Sequence, residues 1–426
     1  MGFLQEPPKS KDSENTSSMN ASYGQKRTAD VIAVLTSIIA HLPVILVEND
    51  RVMTTVTNIS TSVIGPTIRA KTFPENISKS FLDLLRELAR VAQGNKAWRK
   101  DVFDAFNDPR FFNTPLALVT NSWLPLLAQW AQSDKDRLPE LLSRLSAPTT
   151  AGIMFGVGAA SARQEADRKT QRTLRQISLL ILAAPEDTFT ANLAQITEKV
   201  VELLIATPAS SPSSATRPEL LILFRSLILK TSSVHLAPLW PLINGELTSA
   251  LSSLLPDSEN KESYNSSGII QACKLLDQLV VLEPDDFQLI EWLFITDTID
   301  AVYKPSHWQP TSLTDEISEI LSASETPTSR PGVTAVQIPS HAAQTPGDNT
   351  SAFPSRTLFL DPMIEAIERE EGAAVTDMAR RELVNRVVRP FLGQLALVAF
   401  ENTYGGARPD WDGCWRSCVQ DVHGAE

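Results

Sequence analysis

The sequence predicts an all-α protein: a HEAT-like α-solenoid, or an irregular helical-repeat stack, with a disordered insertion. Three observations carry this. Apolar residues recur at spacings of three and four from Thr28 to about Ala323, clusters of Pro, Asn, Asp and Ser break the runs, and no two strand-like runs flank a tight two-residue turn. Successive helices with short connections, each too apolar to stand alone, bury one another's faces in such a stack. No fixed-period self-similarity is visible, so a compact irregular helical domain stays open beside the solenoid.

Residues 1–24 are polar and expected to be disordered, followed by a helical domain over 25–323. Its first run, VIAVLTSIIAHLPVILV from Val31, is short for a membrane span and contains His41 and Pro43, so it is expected to be a buried core helix. In ISKSFLDLLRELARVAQGN, Phe81, Leu84, Leu85, Leu88 and Val91 share one helical face, and Gly94 supplies a stop. The same grammar recurs in LALVTNSWLPLLAQWAQ, QRTLRQISLLILAAPED, ANLAQITEKVVELLIATP, RPELLILFRSLILKTS and SGIIQACKLLDQLVVLEPDD. Residues 324–356 are rich in Pro, Ser, Thr and Gly without an apolar period and read as a disordered insertion. Helices resume over 357–404, where Val384, Val388, Phe391, Leu395 and Val398 form a two-heptad seam. Pro390 is expected to kink or divide this helix, and the seam to pack on the body. The tail, 405–426, is expected to be disordered.

Composition narrows the function classes. With 42% hydrophobic and 21% charged residues, the 426-residue chain has the balance of a soluble globular protein. Its net charge of -12 argues against general nucleic-acid binding, which needs an excess of Lys and Arg. Three cysteines, Cys273, Cys414 and Cys418, are too few and too unevenly spread for a disulfide framework, so a reducing, cytosolic setting is expected. The first residues lack the apolar core of a signal peptide, and Glu6 stands where a myristoylation motif needs Ser or Thr.

Catalytic signatures such as a Walker loop, His-Glu-x-x-His, Gly-x-Ser-x-Gly or Cys-x-x-Cys are absent from the sequence, and no cofactor is expected. FGVGAAS, around Gly156 and Gly158, lacks the third glycine and the β-unit of a dinucleotide loop. Cys414, Cys418 and His423 place three metal-ligand types on one short segment without a second cluster, a weak signal in a tail expected to be disordered. In EPDDFQLIEWLFITDTID, Glu283 is a candidate N-cap and Pro284 the first helical residue. Asp285 and Asp286 then fall in the first turn, where the helix dipole favours negative charge. Leu282 and Phe287 occupy the positions of a hydrophobic staple. Trp240, Leu276, Phe287, Trp292 and Phe294 are assigned to the core. The alternative is a metal-dependent soluble enzyme using Asp285, Asp286, Asp297 and Asp300.

Two basic groups stand out in this acidic chain. Arg163, Arg168, Lys169, Arg172 and Arg175 lie in ARQEADRKTQRTLRQ, with Arg168, Arg172 and Arg175 on one helical face. Arg380, Arg381, Arg386 and Arg389 lie on the late helix. Each is a candidate contact for an anionic membrane or an acidic partner, against a solvated face with internal ion pairs.

Two phrases resemble the C-terminal domain of the Dopey family. One is LFRSLILKTSSVHLAPLWPLINGELTSAL, Leu223 to Leu251, with its Leu-Phe-Arg opening and Leu239-Trp240-Pro241 centre. The other is QACKLLDQLVVLEPDDFQLIEWLFITDTIDAVY, Gln271 to Tyr303, where Ala272-Cys273-Lys274 leads into Leu276-Asp277 and the Phe287 to Phe294 core. The resemblance implies a large, mostly helical, non-enzymatic cytosolic scaffold, peripheral on Golgi, trans-Golgi network and endosome membranes. As partners in endosome-to-Golgi transport it implies a large Arf-exchange-factor-like scaffold and an aminophospholipid flippase. Members of that family are several-fold longer, so the chain looks like a C-terminal piece or a shortened gene product.

Overall fold

The computed structural model describes residues 30–145, 159–205, 215–296, 312–323 and 355–424, together with the backbone alone of the first turn of the helix from Ala159. The segments expected to be disordered at 1–24 and over most of 324–356 lie outside the described residues, as does FGVGAAS up to Gly158. The fold is all-α, a stack of helices in which two short parallel strands, β1 (Ser355–Arg356) and β2 (Arg408–Pro409), are the β-structure among the described residues. The chain divides into two compact units, Met1–Asp134 and Lys135–Glu426. The sequence marks no boundary there, and the expected single helical domain over 25–323 is split by it. The second unit also includes the late helices and the tail.

In the first unit, α1 (Asp30–Ala40) and α2 (Asn49–Ile59) precede α3 (Lys79–Val91), α4 (Lys96–Asn107) and α5 (Leu124–Ser133). Ser78 caps α3 by accepting from the Phe81 N–H at 3.2 Å, and Asn95 caps α4 through Ala97 at 2.8 Å. The predicted stripe on α3 is buried except for half-buried Val91, and the helix ends two residues before Gly94 at its C-cap, Ala92. Edge-on aromatic contacts build the core. Phe106 meets Phe111 at 5.1 Å and Trp130 at 5.9 Å, while Phe111 meets Trp123 at 5.2 Å. The Val31 run departs from the expectation of a buried helix. Ile32, Ile39 and Leu42 are buried, whereas Val31, Val34, Ile38, Val44, Ile45 and Val47 are exposed, because the helix meets its unit on one side only.

The second unit is built round two helices buried on nearly every side. α6 (Arg137–Ser143), α7 (Ala159–Ala183) and α8 (Leu193–Ile205) lead to α9 (Arg217–Lys230), where every residue from Pro218 to Ile228 is buried. α10 (Trp240–Ser252) follows, then α11 (Ser266–Leu282), buried from Gly268 onward except at Lys274. α9 packs on α7 and α11, and α10 on α11. Two short turns come next, α12 (Asp285–Gln288) and α13 (Glu291–Phe294), and beyond them α14 (Leu313–Ala323), α15 (Leu360–Glu371), α16 (Arg389–Tyr404) and α17 (Trp411–Gly424).

Three wide, π-helical turns share one cause. Ser60–Ile64, Val119–Trp123 and Val384–Val388 each end two residues before a proline, at Pro66, Pro125 and Pro390. A proline inside a helix lacks an N–H and its ring collides with the carbonyl four residues back, so the preceding turn widens and the helix continues. Pro390 therefore divides its helix by a π-turn. Beyond it, Phe391, Leu392, Leu395 and Ala399 are buried and α16 packs on α11 and α14, so the seam meets the body of the unit.

Candidate interaction surface and the buried charge network

The first basic group is not a continuous exposed face. Arg168 and Lys169 are exposed, Arg172 is half-buried, and Arg175 is buried and bridged to the equally buried Glu219 of α9 at 2.8 Å. Burial pushes the Glu219 carboxyl up, and Arg175 opposes this. The side chain of Arg163 lies outside the described residues. The reason Arg175 turns inward is helical phase: α7 buries Leu174, Ile177 and Leu180, and Arg175 stands beside that stripe facing α9. The second group is likewise committed. Arg380 donates to the carbonyls of Ser253 at 2.7 Å and Lys261 at 3.1 Å, Arg386 pairs with Glu370 and Glu371, Arg389 is half-buried, and Arg381 remains exposed.

The acidic segment also differs from its expectation. Glu283 is the C-cap of α11 in the left-handed region, φ 44°, and Pro284 is the N-cap residue of α12. A residue before proline is disfavoured in the right-handed helical region, so α11 stops at Leu282 rather than a new helix starting at Glu283. Arg356 pairs with the Glu283 carboxylate, and the Thr403 hydroxyl donates to it at 3.3 Å. Asp285 and Asp286 do sit in the first turn of α12. The expected continuous helix breaks at Leu289–Ile290, and this rotates Trp292 outward. Phe287 and Phe294 are buried with their rings stacked at 6.1 Å, and Trp240 and Leu276 are buried, whereas Trp292 is 62% exposed. Its assignment to the core is therefore corrected. Among the described residues no three His, Cys, Asp or Glu side chains are grouped to hold a metal ion, and Asp297 and Asp300 lie outside the described residues.

The tail is the largest departure. Trp411–Gly424 forms a helix, α17, docked on α7 and α9, with Cys414, Cys418, Val419 and Val422 buried and the Trp415 indole donating to the Leu182 carbonyl at 3.1 Å. The spacing of Cys414, Cys418 and Val422 was the available signal, one apolar residue per turn. Cys414 and Cys418 face the core, and burial pushes the Cys414 thiol up to about 12.

This helix completes a buried charge network that no motif announced. Arg225, fully buried on α9, pairs with Asp421 and donates to Ser417 at 2.8 Å, Gln271 at 3.0 Å and Gln278 at 3.1 Å. Lys274 reaches Asp421 at 2.6 Å and Asp361 at 3.0 Å. Burial alone would raise the Asp421 carboxyl, but Lys274 and Arg225 hold it below the ordinary range. Asp277 accepts from the Phe359 and Leu360 N–H groups at 3.1 and 3.0 Å, tying α15 to α11. Burial, reinforced by Asp361, pushes its carboxyl up to about 8 against those hydrogen bonds. A second, partly buried knot joins Arg217, Glu246 and the Tyr264 hydroxyl at 2.7 to 2.9 Å. These groups neutralise one another inside the stack, which gives them a holding role.

The polar residues of the network on α9 and α11, Arg225, Gln271, Lys274, Asp277 and Gln278, stand within the two phrases that carried the family resemblance. Comparison with known proteins agrees. The family model described as DOP1 C-terminal matches residues 3–405. The chain is 44% identical over 92% of its length to Protein dop1 of Emericella nidulans, covering 20% of that protein. It is 25% identical over 64% of its length to Protein DOP1 of Saccharomyces cerevisiae, covering 16%, and 23% identical over 50% to Protein DOP1B of Mus musculus, covering 10%. The chain thus spans a fifth or less of these curated relatives. No solved structure matches it. With a match of nearly its whole length, and with the resembling phrases lying along α9 to α13 of the larger unit, the chain belongs to the Dopey (DOP1) family, in the family's C-terminal part.

Proposed function

We propose that the chain is a non-enzymatic helical scaffold or adaptor segment in endosome-to-Golgi vesicle-mediated protein transport, working on the cytosolic face of Golgi, trans-Golgi network and endosome membranes. The observation that carries this reading is family membership over residues 3–405, realised as a helical stack whose interior charges hold α7, α9, α11, α15 and α17 together. A stack of this kind offers long outer faces for other proteins while its core fixes their geometry. The partners are a large Arf-exchange-factor-like scaffold and an aminophospholipid flippase. Peripheral membrane contact comes from those partners, with Arg168 and Lys169 contributing a weak electrostatic attraction to anionic lipid headgroups.

The test is depletion of the full-length protein that carries this segment, followed by imaging of a membrane cargo that cycles between endosomes and the Golgi. Accumulation of the cargo in endosomes, reversed by the intact gene and not by one lacking residues 135–424, supports the role. Normal cycling in depleted cells contradicts it.

A further inference from the structure

The segment from Asp285 to Phe294 holds two aromatic residues inward and three apolar residues outward. Phe287 and Phe294 are buried and stacked, which pins both ends to the unit. Between them Leu289, Trp292 and Leu293 are 75%, 62% and 43% exposed. The Thr403 hydroxyl bonds Glu283 at 3.3 Å and so brings the last turn of α16 to the start of this segment. That turn exposes Phe400 and Tyr404, whose rings are 4.8 Å apart. An exposed tryptophan beside two exposed leucines and braced by buried neighbours has the composition of a binding hot spot.

The segment itself carries charge of one sign. The sequence carries no Lys or Arg between Lys274 and Lys304, while Asp285 is exposed, Asp286 is half-exposed and Glu401 is exposed on α16. Arg356, the base at Glu283, is spent on that carboxylate. Acidic residues beside an apolar patch disfavour an anionic membrane and favour a basic partner. We infer that the Leu289–Trp292–Leu293 surface docks an amphipathic helix of another protein that carries Lys or Arg beside its apolar stripe. This deepens the scaffold reading by assigning it a partner chemistry, and it is tested on purified protein, so a failure of the trafficking role leaves the result intact.

The experiment is fluorescence anisotropy of the 426-residue chain with a labelled model helix of Leu and Lys arranged on opposite faces. A Leu/Glu helix of the same pattern is the control. The expected result is binding of the Leu/Lys helix alone, weakened at least about tenfold by Leu289→Ala/Trp292→Ala, with thermal unfolding unchanged, and weakened also by the charge-neutralising Asp285→Asn/Asp286→Asn. Equal affinity of the variants and the original, or equal binding of the Leu/Glu helix, overturns the inference. So does Trp292-dependent sedimentation with phosphatidylserine vesicles, which makes the surface a lipid contact, or Trp292-dependent dimerisation in sedimentation velocity. Absence of peptide binding together with destabilisation by Trp292→Ala also overturns it, because the residue is then covered by its own chain.

Discussion

Lys274 and Asp421 are 147 positions apart in sequence and 2.6 Å apart in space. Arg225 shares the same carboxylate from the neighbouring helix. The last helix is thereby locked to the two central helices, and one substitution measures the lock. Asp421→Ala leaves a buried guanidinium and an ammonium without that carboxylate, at a cost of about 3 to 5 kcal/mol. Urea denaturation is expected to show that loss, and a midpoint matching the original protein would mean that α17 adds nothing to the unit.

Asp277 gives the fold a pH dependence with a definite sign. Its carboxyl is pushed up to about 8, so the native state keeps a proton that the unfolded chain releases in the ordinary carboxylate range. The stabilisation is complete below that range and is lost as pH rises through about 8. Facing it are Asp361, Arg225 and the Phe359 and Leu360 N–H groups. Asp421, depressed by Lys274 and Arg225, acts in a separate window: its contribution is present above the ordinary range and lost as pH falls through its lowered value. Asp277→Asn keeps an oxygen for the two N–H groups and removes the titration. Denaturation midpoints of this variant at pH 5 and pH 8.5 are expected to lie closer together than those of the original, and an unchanged spacing would contradict the assignment.

Trp292 and Phe287 separate surface from core within one segment. Phe287→Ala is expected to cost about 3 to 5 kcal/mol through the cavity it leaves, whereas Trp292→Ala, at an exposed site, stays within about 0.5 kcal/mol of the original. Thermal unfolding of the two variants side by side checks both. A large loss from Trp292→Ala would return that residue to the core.

The basic residues of α7 divide in the same way. Arg168→Glu/Lys169→Glu reverses two exposed cations, each worth about 1 kcal/mol near an anionic surface, and is expected to reduce liposome sedimentation at low salt without lowering stability. Vesicles with and without phosphatidylinositol 4-phosphate show whether that lipid matters. Arg175→Ala instead leaves Glu219 buried without its ion pair and is expected to destabilise the unit. If the double variant sediments as well as the original, recruitment rests with partners alone.

Much of the fold was legible because burial in a helical stack writes its period into the sequence. Phe81, Leu84, Leu85 and Leu88 were readable for that reason, as were the runs of α9 and α11. Long-range pairing leaves no such trace. Nothing local to Asp421 or Arg225 shows that they meet, and Gln278 and Asp277 look like ordinary polar positions on an apolar helix. The reading of Trp292 failed on a smaller scale. Leu282-Glu283-Pro284 ends one helix, and the break at Leu289–Ile290, two residues across, turns a residue from the inner face to the outer. The tail is hard to read because its apolar stripe of Cys414, Cys418 and Val422 is only three turns long and built partly of cysteines, which the sequence presents equally as metal-ligand types.

The scaffold role is tested most directly by quantitative co-purification from cells. The full-length protein carrying this segment is tagged at its natural locus and compared with the same protein bearing Asp421→Ala, which loosens α17, and with one bearing Leu289→Ala/Trp292→Ala. Recovery of an Arf-exchange-factor-like scaffold and an aminophospholipid flippase with the original, reduced in at least one variant at equal protein level, is the expected result. Recovery of neither partner with the original protein would contradict the trafficking role, and undiminished recovery with both variants would place the contacts outside this segment.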